Sequence, residues 1–207
     1  MTHTDPHGAP SAADARASGR VGALVLAAGA ARRYGSAKQL AELEGRPLIE
    51  HALEAVAAAP VDDRVVVLGA GADAVLEGAN LHGARPVVCE DWAEGQAASL
   101  RAGLAALDGV EAAVVVLGDQ PRVSARAIAR VLAARGDGAA AVRATYNGLP
   151  AHPIVLECAL FPRLAALEGD VGAREVLATV AVRELACDGL GRPDDVDTPE
   201  QLEVLRP

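Results

Sequence analysis

The sequence contains very few aromatic residues, which make up 2% of its 207 positions. Proteins that bind single-stranded nucleic acid combine aromatic stacking platforms with a basic groove. This chain instead carries a formal net charge of −9, the opposite sign to that of a broad nucleic-acid surface. A nucleic-acid partner is therefore excluded. Any anion would have to bind at a local basic cluster, a helix N-terminus or a metal ion.

Cysteine and long apolar runs are scarce as well. The three cysteines, Cys89, Cys158 and Cys187, form no CxxC pair, which argues against a zinc site or a disulfide framework and is typical of a cytoplasmic protein. No apolar run exceeds the length of a strand, so no membrane span is expected. Residues 1–20 lack the apolar stretch of a signal peptide and are rich in Ala, Ser, Pro and Asp, which predicts a disordered tail.

From residue 21 onward, short β-rich runs alternate with helical patterns. Strands are predicted at residues 21–28, 64–68, 85–89 and 111–117, and helices at 47–59, 72–77, 96–107 and 124–136. This alternation predicts an α/β domain over 21–207, with a mostly parallel sheet between two layers of helices. Further strands at 140–145, 150–156 and 182–186, and helices at 159–166, 171–179 and 199–205, are expected to extend the same sheet.

The segment that follows the first predicted strand combines small residues with positive charge. Residues 26–38 read LAAGAARRYGSAK, which includes Arg33 and Lys38. Ligands bind at the carboxyl ends of strands in open α/β sheets, and small residues let the backbone amides approach a phosphate closely. The spacing matches neither GxGxxG nor GxxxxGK[ST], so dinucleotide binding and P-loop ATPase chemistry lose support.

Lys38 is the single lysine of a chain that contains 18 arginines. An ammonium is a compact point charge, whereas a guanidinium is a wide planar fork. A lysine at this position therefore indicates a tight phosphate site. The alternative is a solvated lysine beside a loop.

Two aspartates are candidate metal ligands. Asp119 ends an apolar strand in VVVLGDQP, residues 114–121, where a carboxylate is costly to bury unless it is paired or binds a metal. Asp197 lies in DDVDTPE, residues 194–200. Magnesium usually takes one or two carboxylates together with phosphate oxygens. The alternatives are a turn at Asp119, and capping of the last helix by Asp197 or Thr198 with Pro199 in its first turn.

Three further segments contain candidate binding residues. Gly95 and Ser99 belong to GQAASL, which opens a helix either for a nucleotide or through ordinary helix initiation. His152, in AHP, is either structural or functional. Asp170 is expected to cap a helix, and Arg174 either reaches an anionic acceptor or faces solvent.

Taken together, these motifs resemble the molybdenum cofactor cytidylyltransferase group of the MobA-like nucleotidyltransferases. In chain order they are LAAG-x3-R-x-G-x2-K, an acidic-aromatic segment before G-x3-SL, GDQP, HP, GDxGAR and DxDTPE, within residues 21–205. The resemblance implies a Rossmann-like nucleotidyltransferase fold and an enzyme that uses Mg²⁺. Such an enzyme transfers CMP from CTP to the phosphate of molybdenum-molybdopterin and releases pyrophosphate. Cytidylyl-type members share Ala27-Ala28-Gly29, whereas guanylyl relatives tend to carry glycine at the position of Ala28.

The resemblance also implies a role for each candidate residue. It assigns nucleotide binding to Leu26, Ala27, Ala28, Gly29, Arg33, Lys38, Gly95, Ser99 and Gly118. It assigns catalysis to Lys38, Arg33 and Asp119, metal binding to Asp119 and Asp197, and acceptor binding to His152, Asp170 and Arg174. From the change in pattern after residue 138, we expect residues 21–138 to form the nucleotide-binding half and residues 139–207 the acceptor-side half.

Two other functions stay open at this point. One is a nucleotidyltransferase that uses GTP, or another acceptor such as a sugar phosphate. The other is a non-catalytic carrier that binds the pterin cofactor and hands it to an apoenzyme, without releasing pyrophosphate. A molybdoenzyme or its maturation factor is an expected protein partner.

Overall fold

The computed structural model describes residues 19–31, 33–35 and 37–206. Nearly all of the tail predicted at residues 1–20 therefore lies outside the described residues. The strands are β1 (Val21–Ala27), β2 (Glu42–Leu43), β3 (Arg46–Pro47), β4 (Asp63–Leu68), β5 (Arg85–Val88), β6 (Ala112–Leu117), β7 (Ala141–Tyr146), β8 (Leu149–Glu157) and β9 (Val182–Ala186). The helices are α1 (Leu48–Ala57), α2 (Ala72–Gly78), α3 (Gln96–Ala106), α4 (Ala125–Ala133), α5 (Phe161–Ala165), α6 (Arg174–Leu177) and α7 (Pro199–Leu205).

Seven of these strands form one sheet in the order β5-β4-β1-β6-β8-β7-β9. The pairs β4–β5, β1–β4, β1–β6 and β7–β9 are parallel, and β8 runs antiparallel to both of its neighbours. The remaining two strands, β2 and β3, pair as a small separate hairpin. Strands from the second half of the chain thus extend the sheet of the first half, as predicted.

The central strands of the sheet are apolar on both faces, so both faces must be covered by helices. Leu24 and Val25 are adjacent in β1, point to opposite faces and are both fully buried. Val25 packs in a core with residues of α1, α2 and α4, whereas Leu24 packs in a second core with residues of α3, α5 and α6. The predicted three-layer α/β/α architecture is therefore confirmed. None of the described helices is long and apolar enough to cross a membrane.

Most predicted elements are present with small shifts at their ends, but the segment at residues 158–179 differs. The helix predicted at 159–166 is a 3₁₀ turn, Cys158–Leu160, followed by the five-residue α5. The helix predicted at 171–179 is reduced to α6. Pro47, expected in the first turn of α1, instead pairs in β3 and precedes that helix.

The prediction that Asp170 caps the following helix is wrong. Helix α6 begins at Arg174, with Ala173 at its N-cap position. The carboxylate of Asp170 instead accepts a hydrogen bond of 3.3 Å from the backbone N–H of Gln96, at the start of α3. The first amides of a helix have no partner within it, and the segment containing Asp170 supplies acceptors for those of α3.

Candidate active site

The carboxyl ends of β1 and β6 lie side by side at one edge of the sheet. Leu26 pairs with Leu117 in the parallel register, and the N–H of Gly118 donates to the carbonyl of Leu26 at 2.9 Å. A Cβ atom at Gly118 would lie 2.8 Å from the Cβ of Ala27, so a glycine is needed for this approach. The loop after β1 is thereby brought next to Asp119.

Four charged side chains converge at this edge. The Nζ atom of Lys38 lies 2.8 Å from Oδ2 of Asp119 and 3.1 Å from Oδ1 of Asp197. Arg33 contacts the other oxygen of Asp197 through Nη2 at 2.7 Å. The Lys38 side chain is 11% exposed and the two carboxylates 28%, whereas Arg33 is 73% exposed. The alternative of a solvated Lys38 is therefore wrong.

Asp197 reaches this cluster because the segment before α7 is fixed at both ends. The N–H of Val196 donates to the carbonyl of Asp119 at 3.0 Å, and the side chain of Val196 is fully buried against α7. Thr198 then caps α7, and its capping box is completed by Gln201. The cap and the charged contact thus belong to adjacent residues, which leaves the Asp197 carboxylate free of any capping role.

The charge of Lys38 is secured by its partners. Burial lowers the pKa of the ammonium, but the charges and hydrogen bonds of Asp119 and Asp197 outweigh burial and raise the pKa above its usual value. Lys38 is therefore cationic at neutral pH. A small cavity of about 60 Å³ lies beside it, lined by Ala27, Gly29, Ala31, Lys38, Gln39, Leu48, Gly118 and Asp119.

Asp119 and Asp197 are the residues that could hold a divalent cation here. Both carboxylates reach the same ammonium and both remain partly exposed. Among the described residues, no group of three or more His, Cys, Asp or Glu could hold a metal ion. Two carboxylates nevertheless fit a magnesium-type ion, whose coordination is usually completed by substrate phosphates and water.

Gln39 is a site residue that the sequence analysis missed. Its side chain is buried, and Nε2 donates to the carbonyl of Ala27 at 2.9 Å and to that of Gly29 at 3.2 Å. The residue also lines the small cavity beside Lys38. The one signal in the sequence is its position directly after Lys38. No general motif tells whether a glutamine at that position is buried in a site or exposed to solvent.

Residues 23–185 match the MobA-like NTP transferase domain. The chain belongs to this family. The transferase is 36% identical over 193 residues to nicotine blue oxidoreductase of Paenarthrobacter nicotinovorans, and 31% identical over 197 residues to purine catabolism protein PucB of Bacillus subtilis. Each alignment covers 88% of this chain and 94% of the relative. The prediction of a nucleotidyltransferase-class enzyme is thereby confirmed.

Solved structures agree with this assignment. The fold superposes on Rv0371c from Mycobacterium tuberculosis H37Rv with a TM-score of 0.82 and 34% identity, covering 90% of this chain and 96% of the other. A structure of Rv0371C in complex with manganese gives a TM-score of 0.78 at 32% identity, with coverage of 90% and 97%. The predicted nucleotidyltransferase fold is confirmed, and a related protein with this fold binds a divalent cation.

A larger groove of about 1500 Å³ runs from the strand tips of the transferase toward β7 and β8. His152, Asp170 and Arg174, the three residues predicted for the acceptor, all line it. Gln120, which follows Asp119, lines the same groove and donates to the carboxylate of Asp195 at 2.8 Å. The three residues predicted for the acceptor therefore line one groove, which also reaches Gln120 beside Asp119.

The His152 ring has a lowered pKa in this groove. His152 keeps some solvent exposure where it lines the groove, but protein atoms crowd around its ring. This burial, and secondarily the charge of Arg143, lower the pKa of His152 to about 4. His152 is therefore neutral at pH 7, and one ring nitrogen can donate a hydrogen bond while the other accepts one.

Three further residues predicted for nucleotide binding, Gly95, Ser99 and Ala28, lie at the start of α3 and in the loop after β1. Gly95 has a φ of 120° and leaves no room for a Cβ, which would lie 2.6 Å from the backbone of Gly169. Ser99 is buried with its hydroxyl against the Cys89 thiol. Ala28 is buried as well.

Proposed function

We propose that this protein transfers CMP from CTP to the terminal phosphate of molybdenum-molybdopterin, forming molybdopterin cytosine dinucleotide and pyrophosphate. The observation that carries the proposal is the contact of Lys38 with Asp119 at the tips of β1 and β6. It joins a phosphate-binding cation to a metal-binding carboxylate at the edge of the sheet where α/β folds bind their ligands. Ala28 in the first loop supports CTP through the resemblance to cytidylyl-type members.

The reaction is an in-line displacement at phosphorus. A phosphate oxygen of the acceptor forms a bond to the α-phosphorus of CTP, and the bond from that phosphorus to the oxygen bridging to the β-phosphate breaks. Pyrophosphate leaves with that oxygen. Phosphate is already a competent nucleophile, so the reaction needs no covalent enzyme intermediate, and catalysis consists of positioning and charge stabilisation.

The residues of the cluster divide this work. Lys38 and Arg33 stabilise the negative charge of the departing pyrophosphate, and the loop at residues 27–29 approaches the triphosphate through its backbone. Asp119 and Asp197 would hold the divalent cation, which we take to be Mg²⁺. When bound, this ion neutralises phosphate charge and orients the triphosphate.

The groove supports a bulky acceptor. Its volume of about 1500 Å³ exceeds the roughly 300–1,000 Å³ of most small-molecule pockets, so it has room for an acceptor as large as a pterin. His152, which is neutral, and Asp170 offer hydrogen bonds to the acceptor. Arg174 offers hydrogen bonds and a positive charge. In this proposal, residues 21–138 hold the nucleotide, residues 139–207 hold the acceptor, and the enzyme acts in the cytoplasm.

Pyrophosphate release tests the proposal. Each of the four nucleoside triphosphates is incubated with Mg²⁺ and either molybdenum-molybdopterin, a sugar phosphate or no acceptor. We expect release only with CTP and the pterin. Release with GTP or a sugar phosphate would identify the alternative transferase. Binding of the pterin without release under any condition would identify a carrier.

A second candidate function rests on the relative with 36% identity that is named nicotine blue oxidoreductase. A redox enzyme of this kind requires an electron donor, and the first loop lacks the GxGxxG spacing that binds a nicotinamide dinucleotide. Loss of nicotine blue absorbance with NADH or NADPH would support this function. We expect no change.

A further inference from the structure

We infer that Gln39 is a positioning residue that aims the amides of the β1 loop at the nucleotide phosphates. The inference rests on the proposed function and names a residue that the functional motifs do not include. The single carboxamide nitrogen of Gln39 donates to two loop carbonyls, those of Ala27 and Gly29. Each of its two protons therefore has one acceptor.

The two bonds determine where the neighbouring amides point. A peptide unit is planar and trans, so its carbonyl and the following N–H point in opposite directions. Holding the carbonyl of Ala27 toward Gln39 turns the N–H of Ala28 away from it. Holding the carbonyl of Gly29 turns the N–H of Ala30 away in the same manner. Between these two units, the carbonyl of Ala28 already accepts from the N–H of Ala70 at 3.1 Å. Gln39 therefore fixes the peptide units on either side of one that the sheet edge holds.

The 3₁₀ turn Lys38–Leu40 lets adjacent side chains serve two different parts of the site. A 3₁₀ helix has three residues per turn, so consecutive side chains diverge by about 120°. Lys38 points to Asp119 and Asp197, while Gln39 points to the loop. Both side chains are buried. The turn thus couples the position of the ammonium to the orientation of the loop amides.

The carboxamide of Gln39 supplies two N–H donors without adding a charge, and two substitutions test this. Gln39→Met keeps the length of the side chain but removes both donors. Gln39→Glu keeps the shape but places a carboxylate, which only accepts hydrogen bonds, against two carbonyls. The matched control is His51→Leu, which removes another buried bond from a side chain to a carbonyl, that from Nε2 to Leu43 at 2.9 Å.

The experiment measures the Kd for CTP with Mg²⁺ by calorimetry, without acceptor, beside the thermal midpoint of each variant. We expect Kd to rise about tenfold for Gln39→Met, which is about 1.4 kcal/mol, and at least as much for Gln39→Glu. His51→Leu should lose thermal stability but keep the wild-type Kd. A Gln39→Met variant with wild-type Kd would overturn the positioning role and leave the proposed function intact.

A second measurement uses the wild-type chain and so does not depend on the variants folding. We expect CTP with Mg²⁺ to slow hydrogen exchange at the amides of Ala28 and Ala30. Unchanged exchange at both, with CTP bound, would overturn the inference. Failure of the wild-type chain to bind any nucleoside triphosphate would refute the proposed function as well, and the wild-type titration alone would show that.

Discussion

The Nζ atom of Lys38 lies 2.8 Å from Oδ2 of Asp119, although 81 residues separate the two along the chain. The same ammonium lies 3.1 Å from Asp197. Lys38 thus bridges the two carboxylates proposed to hold the divalent cation. Two positive charges a few ångströms apart repel strongly in a partly buried site. Binding of the cation and the present contacts of Lys38 are therefore expected to compete.

Removing either partner of this contact should abolish most of the activity. We expect Lys38→Ala and Asp119→Ala each to reduce kcat/KM by about a hundredfold to a thousandfold, the usual effect of losing an electrostatic stabiliser. Both variants should stay folded, because the cluster lies at the edge of the sheet and outside its two cores. Pyrophosphate release measures the first effect and circular dichroism the second. Near-normal turnover by both variants would refute these roles.

The competition at the carboxylate pair predicts a tighter metal site when the ammonium is removed. We expect Lys38→Met to bind Mn²⁺ at least about tenfold more tightly than wild type without nucleotide, because the repelling charge is gone. The amount of free Mn²⁺, followed by electron paramagnetic resonance, reports the affinity. Lys38→Arg is the control, since it keeps the charge and should stay close to wild type. Equal affinity of all three proteins would rule out the competition.

The core of this site could be predicted from sequence because it follows a general rule of sheet topology. Parallel strands place their carboxyl ends at one edge, so polar residues that follow β1 and β6 must meet. The rule applies to Lys38 and Asp119. Asp197 is a candidate because its acidic segment could supply a second carboxylate, and the family resemblance supports the same role. The central strands were predictable because they are apolar on both faces.

The residues that were missed or assigned wrongly depend on long-range choices of hydrogen-bond partner. Asp170 has the usual character of an N-cap, but the chain presents its carboxylate to Gln96 in a distant helix. The unpaired amides at the starts of α3 and α6 could each bind this carboxylate. The spacing of residues near Asp170 does not show which of the two helices it caps. Gln39 is buried only because a 3₁₀ turn directs it toward Ala27. No hydrophobic periodicity reports such a turn.

The lowered pKa of His152 makes stability depend on pH below neutrality. The folded-state pKa is about 4, compared with about 6.5 in an unfolded chain. Between these values the unfolded state binds more protons, so stability is full above about pH 6.5 and falls as pH drops toward 4. We expect the free energy of unfolding to lose on the order of 2 kcal/mol from this group. Urea denaturation at pH 7 and pH 4.5 measures the loss.

His152→Gln is the control for this effect, because it removes the titrating group and keeps a polar side chain. Between pH 7 and pH 4.5, the free energy of unfolding of this variant should fall less than that of the wild type. The difference should equal the loss attributed to His152. A direct check follows the ring protons of His152 by NMR, with an expected midpoint near pH 4. A midpoint near 6.5 would contradict the expected environment of the groove.

Gly95 approaches the backbone of Gly169, beside a segment that lines the larger groove. The effect of this close approach can be measured separately from the backbone strain at Gly95. Gly95 and Gly136 both have positive φ angles, 120° and 102°. A Cβ atom at Gly95 would lie 2.6 Å from the backbone of Gly169, whereas a Cβ atom at Gly136 would have no atom within 4 Å. Gly136→Ala therefore reports strain alone. We expect Gly95→Ala to reduce the free energy of unfolding by about 1–3 kcal/mol more, and to raise KM for the acceptor, because the displaced segment includes Asp170. If Gly95→Ala and Gly136→Ala lose the same stability in thermal or urea denaturation, the backbones at Gly95 and Gly169 can move apart at no energetic cost.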